Sequence, residues 1–357
     1  MKFTRQTAFD HADSGCIGVL VANLGTPDSC RVADVRRYLR QFLMDRRVVE
    51  MPRPLWWLIL NGIILNTRPR KTAHAYRTVW DEDGSPLLSI SRRQRRKLAE
   101  HLGPQAAVVE LGMRYGNPSI ADALGKLRAA GMRRLLVLPL YPQYCAATTA
   151  STFDAVCAEL RRWRWLPGLR FIDHYHDHPG YISALAGSVR DHRQIHGGSE
   201  LLLMSFHGIP RAYFEAGDPY HCECRKTARL LAEELGLAES EWRVSFQSRL
   251  GPGAWLQPYT DRTLVKLAQA GTRDLQVICP GFSADCLETL EEMALTNRDL
   301  FMRAGGARYE YIPCLNDSEP HIRALASIVT GHLGGWDAPD TDRRRQKERA
   351  MALGAGA

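Results

Sequence analysis

Short unbroken apolar runs alternate along this chain with longer stretches of helical period, the pattern of an α/β protein. IGVLVANLGTP (17–27) is an apolar run stopped by Gly and Pro, a buried parallel strand, and a helix follows from Cys30 or Arg31 to Met44. Helical spacing returns around 71–80, over 91–101 and over 117–131, with a short strand at 108–112 between them. The strand LLVLPL from Leu135 runs into YPQYCAATTAST, a helix over 151–162 and a last strand over 169–175. A connecting helix in HPGYISALAGSVRDHRQ then precedes LLLMSFHGIP (201–210), where the pattern restarts. Helices at 224–235, stopped by Gly236, at 261–270 and at 321–333 alternate with strands near Val244, at 275–278 and at 309–312.

Two echoes tie the halves together. LLLMSFHGIP repeats the pattern of IGVLVANLGTP, and LQVICPGFSADCLET repeats that of LLVLPLYPQYCAATT: a strand, a proline at its end, then a small-residue helix start. The expected architecture is two similar, doubly wound (Rossmann-like) α/β halves, 16–176 and 177–333, after a polar lead at 1–15 and before a basic tail at 334–357 expected to be disordered.

PLWWLILNGIIL (54–65) is the longest apolar segment, too short to span a bilayer. Two readings stand: a buried helix, or an interfacial segment flanked by Arg46, Arg47, Arg53, Arg68 and Arg70.

Composition narrows the partners. With 357 residues, 45% hydrophobic and 24% charged, the chain has an ordinary globular make-up. A net charge of +8 favours anionic partners, either a lipid surface, nucleic acid or small acidic ligands. Zinc-finger spacing, an RNP-like motif and a basic zipper helix are all missing, which argues against nucleic acid. Nine scattered cysteines without an apolar leader in front of them suit free thiols and a cytoplasmic protein. Cys222 and Cys224 form a CxC, too few ligands for a structural metal site.

The candidate chemistry sits at strand ends. After the strand at 275–278, Asp285, Glu288 and Glu292 are spaced i, i+3 and i+7, on one face of a helix expected to begin near Ser283. A single carboxylate there reads as a solvated helix start; three favour a site for a cation or for protons. His207 stands at the carboxyl end of LLLMSF, beside a glycine that permits close approach. One imidazole with carboxylates makes a transient metal site and a proton acceptor near neutral pH. The chain has no GxxxxGK[ST], GxSxG, HExxH or intact GxGxxG.

LMSFHGIP, GDPYHCECRKTARLLAEELGL, FQSRLGPGAWLQPYTD, CPGFSADCLETLEE, LPLYPQY and NLGTPDS together closely resemble the ferrochelatase family in its proteobacterial form, over about 17–333. The resemblance implies two four-stranded, parallel-sheet halves with a porphyrin cleft between them. It also implies insertion of Fe²⁺ into protoporphyrin IX to give protohaem, the last step of haem synthesis, with no nucleotide cofactor. On the matching positions, His207 becomes the metal ligand and acceptor of pyrrole protons, and Glu288 its partner in both tasks. Asp285 and Glu292 become the acidic path, Arg68, Tyr76 and Ser85 the porphyrin contacts, and 51–65 an apolar lip touching membranes. Cys286 stands where some relatives carry histidine, which puts an outer metal site there in doubt. Cys145 lies next to a cluster-cysteine position, yet the tail holds no cysteine, so no iron–sulfur cluster is expected. Rival readings are a coproporphyrin III or sirohydrochlorin chelatase, and a noncatalytic porphyrin or haem carrier.

Overall fold

The computed structural model describes residues 3–4, 15–249, 251, 253–336 and 343–355. Most of the polar lead at 1–15 lies outside them.

Eight parallel strands form two sheets. In chain order they are β1 (Cys16–Thr26), β2 (Val108–Gly116), β3 (Met132–Pro139), β4 (Gly168–Phe171), β5 (Leu201–His207), β6 (Trp242–Gln247), β7 (Asp274–Ile278) and β8 (Arg308–Ile312). The sheets run β2-β1-β3-β4 and β6-β5-β7-β8. Both have one order, and both reverse direction of winding beside their first strand, so the repeat seen in the sequence is a repeat of topology. A doubly wound sheet opens a crevice at that reversal, outside the carboxyl ends of the strands. The first strands are apolar on both faces because helices cover both; Val19, Leu20, Val21 and Ala22 are all buried, as are Leu201 to Phe206.

The halves share a core. One cluster of buried side chains joins Val19, Val21 and Leu136 of the first sheet to Leu202, Met204 and Phe206 of the second. The helix Pro179–His196 packs on both Tyr220–Leu235 and Glu319–Leu333, and the latter crosses back to Pro86–Leu102 in the first half. Arg93 and Lys97 of that first-half helix pair with Asp317 at 3.1 and 2.7 Å.

The first half carries a long insertion between β1 and β2. Its apolar segment is the helix Arg53–Ile59 followed by a π-helical stretch, Leu60–Ile64, and then the helix Leu65–Val79. The segment has a buried face and an exposed apolar face. Trp56, Leu60 and Leu65 are buried, with Trp56 Nε1 donating to the Leu43 carbonyl at 2.6 Å, while Leu55, Trp57, Leu58 and Ile63 face outward. Pro69 sits inside Leu65–Val79, where it removes a backbone donor, and the wider π turns lie just upstream.

Three expectations need correction. The strand expected over 169–175 ends at Phe171, and the chain from Ile172 onward is a loop. The basic tail is not wholly irregular: Arg343–Ala352 is helical, since Arg, Gln, Lys, Glu, Ala and Met are all good helix formers, and residues 337–342 lie outside the described ones. Finally, the helix expected near Ser283 begins later and differently, as the π-helical segment Glu288–Asn297. Its counterpart in the repeat, after β3, is also π-helical, Ala146–Ala150.

Candidate active site

β5 places His207 at its carboxyl end, next to Gln247 in the register of β6. Close approach there needs glycine: a Cβ on Gly208 would stand 2.8 Å from the Gln247 carbonyl oxygen. The Gly208 N–H donates to that oxygen at 2.8 Å. His207 Nδ1 lies 2.6 Å from the Gly208 carbonyl, which can only accept. Nδ1 therefore carries the proton in the neutral ring, and Nε2 holds a lone pair for a proton or a metal ion. Phe282 lies beside the imidazole, ring centroids 6.4 Å apart.

The acidic partners come from the π-helical segment after β7. With i→i+5 bonding, each residue turns through a smaller angle than in an α-helix, so residues four apart come nearly into line. Glu288 and Glu292 are four apart. The Glu288 main-chain carbonyl accepts from Gln247 Nε2 at 3.1 Å, and Gln247 Oε1 accepts from Ser205 Oγ at 2.8 Å. Glu292 Oε1 accepts from the Ser248 N–H at 2.9 Å, and its Oε2 from the Ser248 hydroxyl. Burial pushes the Glu292 carboxyl above its ordinary value; the Ser248 hydroxyl and the nearby His207 pull it back, and Glu288 pushes it further up. That mutual influence puts His207, Glu288 and Glu292 in one electrostatic group.

Asp285 does not join it. The segment turns helical only after Asp285, which breaks the single face implied by the i, i+3, i+7 spacing. Its Oδ1 accepts from Tyr311 OH at 2.6 Å, Thr289 Oγ1 at 2.9 Å and the Cys314 N–H at 3.4 Å, and its Oδ2 accepts from Asn316 Nδ2 at 2.7 Å. The Asp285 carboxylate is buried and saturated with donors, so it anchors the segment to β8 and the loop after it.

The first half closes the site from the other side. Tyr76, on Leu65–Val79, is buried, and its phenol is raised by burial and then by the Glu288 charge. Tyr38 is raised well above its ordinary value by burial, with Tyr76 and Glu288 adding. Leu65–Val79 packs on Glu288–Asn297, which explains this proximity across the halves. Arg68 lies two turns earlier on the same helix, exposed, with no hydrogen-bond or ion-pair partner among the described residues. Ser85 is buried at the start of Pro86–Leu102, and Leu87 beyond it packs with Ala284 and Cys286. The fold thus brings Tyr76 to Glu288 and the start of the Ser85 helix to the segment before Glu288, and leaves Arg68 as a cation whose guanidinium pKa is lowered from its ordinary value by partial burial.

Gln247, Ser248 and Tyr38 escaped the sequence reading. Gln247 and Ser248 carried a usable signal, as polar residues at the carboxyl end of an apolar strand, the same argument that singled out His207. Tyr38 carried none, being one aromatic on an amphipathic helix.

Two doubly wound halves of one topology, sharing a core and a histidine–carboxylate group at their strand ends, define a chelatase-type protein. Solved structures agree on the fold. SirB from Bacillus subtilis, solved with Fe³⁺, superposes with TM-score 0.54 at 11% identity, over 90% of this chain and 99% of that one. CbiX, described as the terminal enzyme for biosynthesis of sirohaem in denitrifying bacteria, gives 0.50 at 12% identity, over 89% and 100%. The ferrochelatase family profile matches residues 16–333. A protein of Nitrosococcus oceani named ferrochelatase is 54% identical over 366 residues, 99% of this chain and 100% of that one. Another so named, from Hydrogenovibrio crunogenus, is 56% identical over 348 residues, 95% and 92% of the two chains. The chain belongs to the ferrochelatase family.

Proposed function

We propose that this protein inserts Fe²⁺ into protoporphyrin IX to form protohaem. Family membership supports the reaction, and the observation that carries its assignment to residues is His207, whose Nδ1 is committed to the Gly208 carbonyl, which leaves Nε2 for a proton or iron, and whose charge acts with that of Glu288 on Glu292.

The stoichiometry is simple: two pyrrole protons leave as one divalent cation enters the ring. His207 Nε2 accepts a pyrrole proton and offers the lone pair that receives iron, and Glu288 shares both tasks. Glu292, with its affinity for a proton raised by burial, takes the proton onward. Iron and porphyrin are substrates, and the balance calls for neither an electron donor nor an iron–sulfur cluster. A flat aromatic ring must bend to present its inward N–H groups, at a cost of about 1–5 kcal/mol drawn from contacts remote from the metal. Arg68 supplies one such contact by pairing with a propionate, and Tyr76 and Ser85 bound the ring's pocket.

The outward face of 51–65 serves as a peripheral membrane contact for a hydrophobic substrate and product. Leu58 and Ile63 are each 61% exposed, and Trp57 48%, a patch that suits an interface. No helix among the described residues is long and apolar enough to cross a membrane. A cytoplasmic, membrane-apposed enzyme fits these features.

The test is anaerobic Fe²⁺ insertion followed by loss of porphyrin fluorescence, with protoporphyrin IX and coproporphyrin III in parallel. Rapid loss with protoporphyrin supports the proposal. A preference for coproporphyrin reassigns the substrate, and ring binding without insertion of metal leaves a carrier.

A further inference from the structure

A second group of ligand-type side chains shares no residue with the His207 site. His174 and His176 lie in the loop after β4, and Glu223 lies on Tyr220–Leu235 of the other half. One ligand atom from each falls within 4.8 Å of the other two. His174 Nδ1 is 2.8 Å from Glu223 Oε1, and His176 Nδ1 is 3.3 Å from Glu223 Oε2. The imidazole rings stand edge to face, 5.0 Å between centroids. His176 and Glu223 are buried, and the His174 side chain is 43% exposed.

Hydrogen bonding accounts for only part of this arrangement. Glu223 Oε2 accepts the Tyr144 N–H at 2.6 Å, and Oε1 faces His174. His176 Nδ1, by contrast, is buried and has no hydrogen-bond partner, although it points towards a carboxylate 3.3 Å away. The His176 side chain is only 7% exposed, so water does not readily satisfy that nitrogen. Neutral imidazole and carboxylate are the forms in which these residues bind metal. The His176–Glu223 separation of 3.3 Å is that of two donors bound at about 2.0–2.1 Å to one tetrahedral ion, and the 2.8 Å between His174 and Glu223 is a hydrogen-bond distance that the ion would widen.

We propose that His174, His176 and Glu223 form a binding site for a divalent transition-metal cation of the zinc class. Two nitrogens and one carboxylate suit such a cation better than magnesium or calcium, which prefer oxygen alone. The exposed side at His174 leaves a further coordination position to solvent, as in other three-ligand sites. The nearby ammonium of Lys226 is paired with Asp177 at 2.5 Å, and the Asp177 carboxylate that offsets it lies 3.9 Å from His176 Nε2. The ion joins three segments, the loop after β4, the Tyr144 turn after β3 through Glu223, and a helix of the other half. Its role is a clip between the halves.

The experiment uses the full chain stripped with a chelator and titrated with Zn²⁺ alone. Bound zinc is counted after equilibrium dialysis, and thermal unfolding is followed with and without the ion. His207→Ala should keep one zinc equivalent and a zinc-dependent rise in melting temperature. His174→Ala should lose that equivalent and that rise, while melting like the wild type when metal-free, because the side chain is partly exposed. His176→Asn should lose both as well. Zinc binding and melting shifts unchanged in His174→Ala, or no zinc-dependent shift in His207→Ala, would overturn the proposal. The readout is independent of chelatase turnover, so it stands or falls apart from the reaction assigned above.

Discussion

Gln247 lies beside His207 in the register of two parallel strands and donates from Nε2 to the main-chain carbonyl of Glu288 at 3.1 Å. One buried amide therefore sets the distance between the imidazole and the acidic segment. Gln247→Ala should lower kcat by about tenfold with little change in KM for porphyrin, since it positions catalytic groups without touching the ring. An equal loss of kcat and melting temperature with a raised KM would point to general loosening instead.

His207→Ala should fold normally and lose at least about a hundredfold in iron insertion, the usual contribution of a positioned proton acceptor. Glu288→Gln should lose most of its turnover while porphyrin, followed by its fluorescence, still binds. Wild-type turnover in either variant would remove these residues from the mechanism.

Asp285→Asn tests whether that carboxylate anchors the segment or serves the proton path. Its four donors would meet an amide that must donate in turn, and the stability lost should be about 1–3 kcal/mol. Denaturant unfolding reads the loss. Turnover per folded molecule should stay near wild type, and a catalytic defect in a stable variant would return Asp285 to the proton path.

Arg68 is a cation with no described partner. Arg68→Ala should raise KM for protoporphyrin about tenfold and leave kcat nearly unchanged, the signature of a uniform binding contact. Unaltered KM would exclude the propionate pairing.

His321 is buried, Nδ1 donating to the Asn316 carbonyl at 2.7 Å, and burial lowers its pKa from 6.5 to about 4. A base depressed in the folded state contributes stability that is complete above pH 6.5 and is lost as pH falls towards 4. Wild type should lose about 3 kcal/mol more than His321→Gln across that window. Urea unfolding at stepped pH gives the comparison, and parallel slopes would refute it.

Much of this protein is legible locally. Alternating apolar runs and helical periods identify the strands, because a strand covered on both faces must be apolar throughout. The repeated strand–Gly–Pro and strand–Pro patterns identify the two halves. His207 is legible because its strand ends there, and Glu288 because it follows another.

The sequence alone determined a doubly wound α/β repeat with a histidine and carboxylates at strand ends. Only the tertiary structure decided that His207 acts electrostatically on Glu292 and that Asp285 is held by other donors. The spacing of Asp285, Glu288 and Glu292 assumed an α-helix, whereas π-helical bonding aligns the last two and long-range donors from Tyr311 and Asn316 capture the first. The same holds for Tyr76 beside Glu288 and for His174 and His176 beside Glu223: these pairs lie far apart in the chain, and packing between halves, which local periodicity does not encode, brings them together.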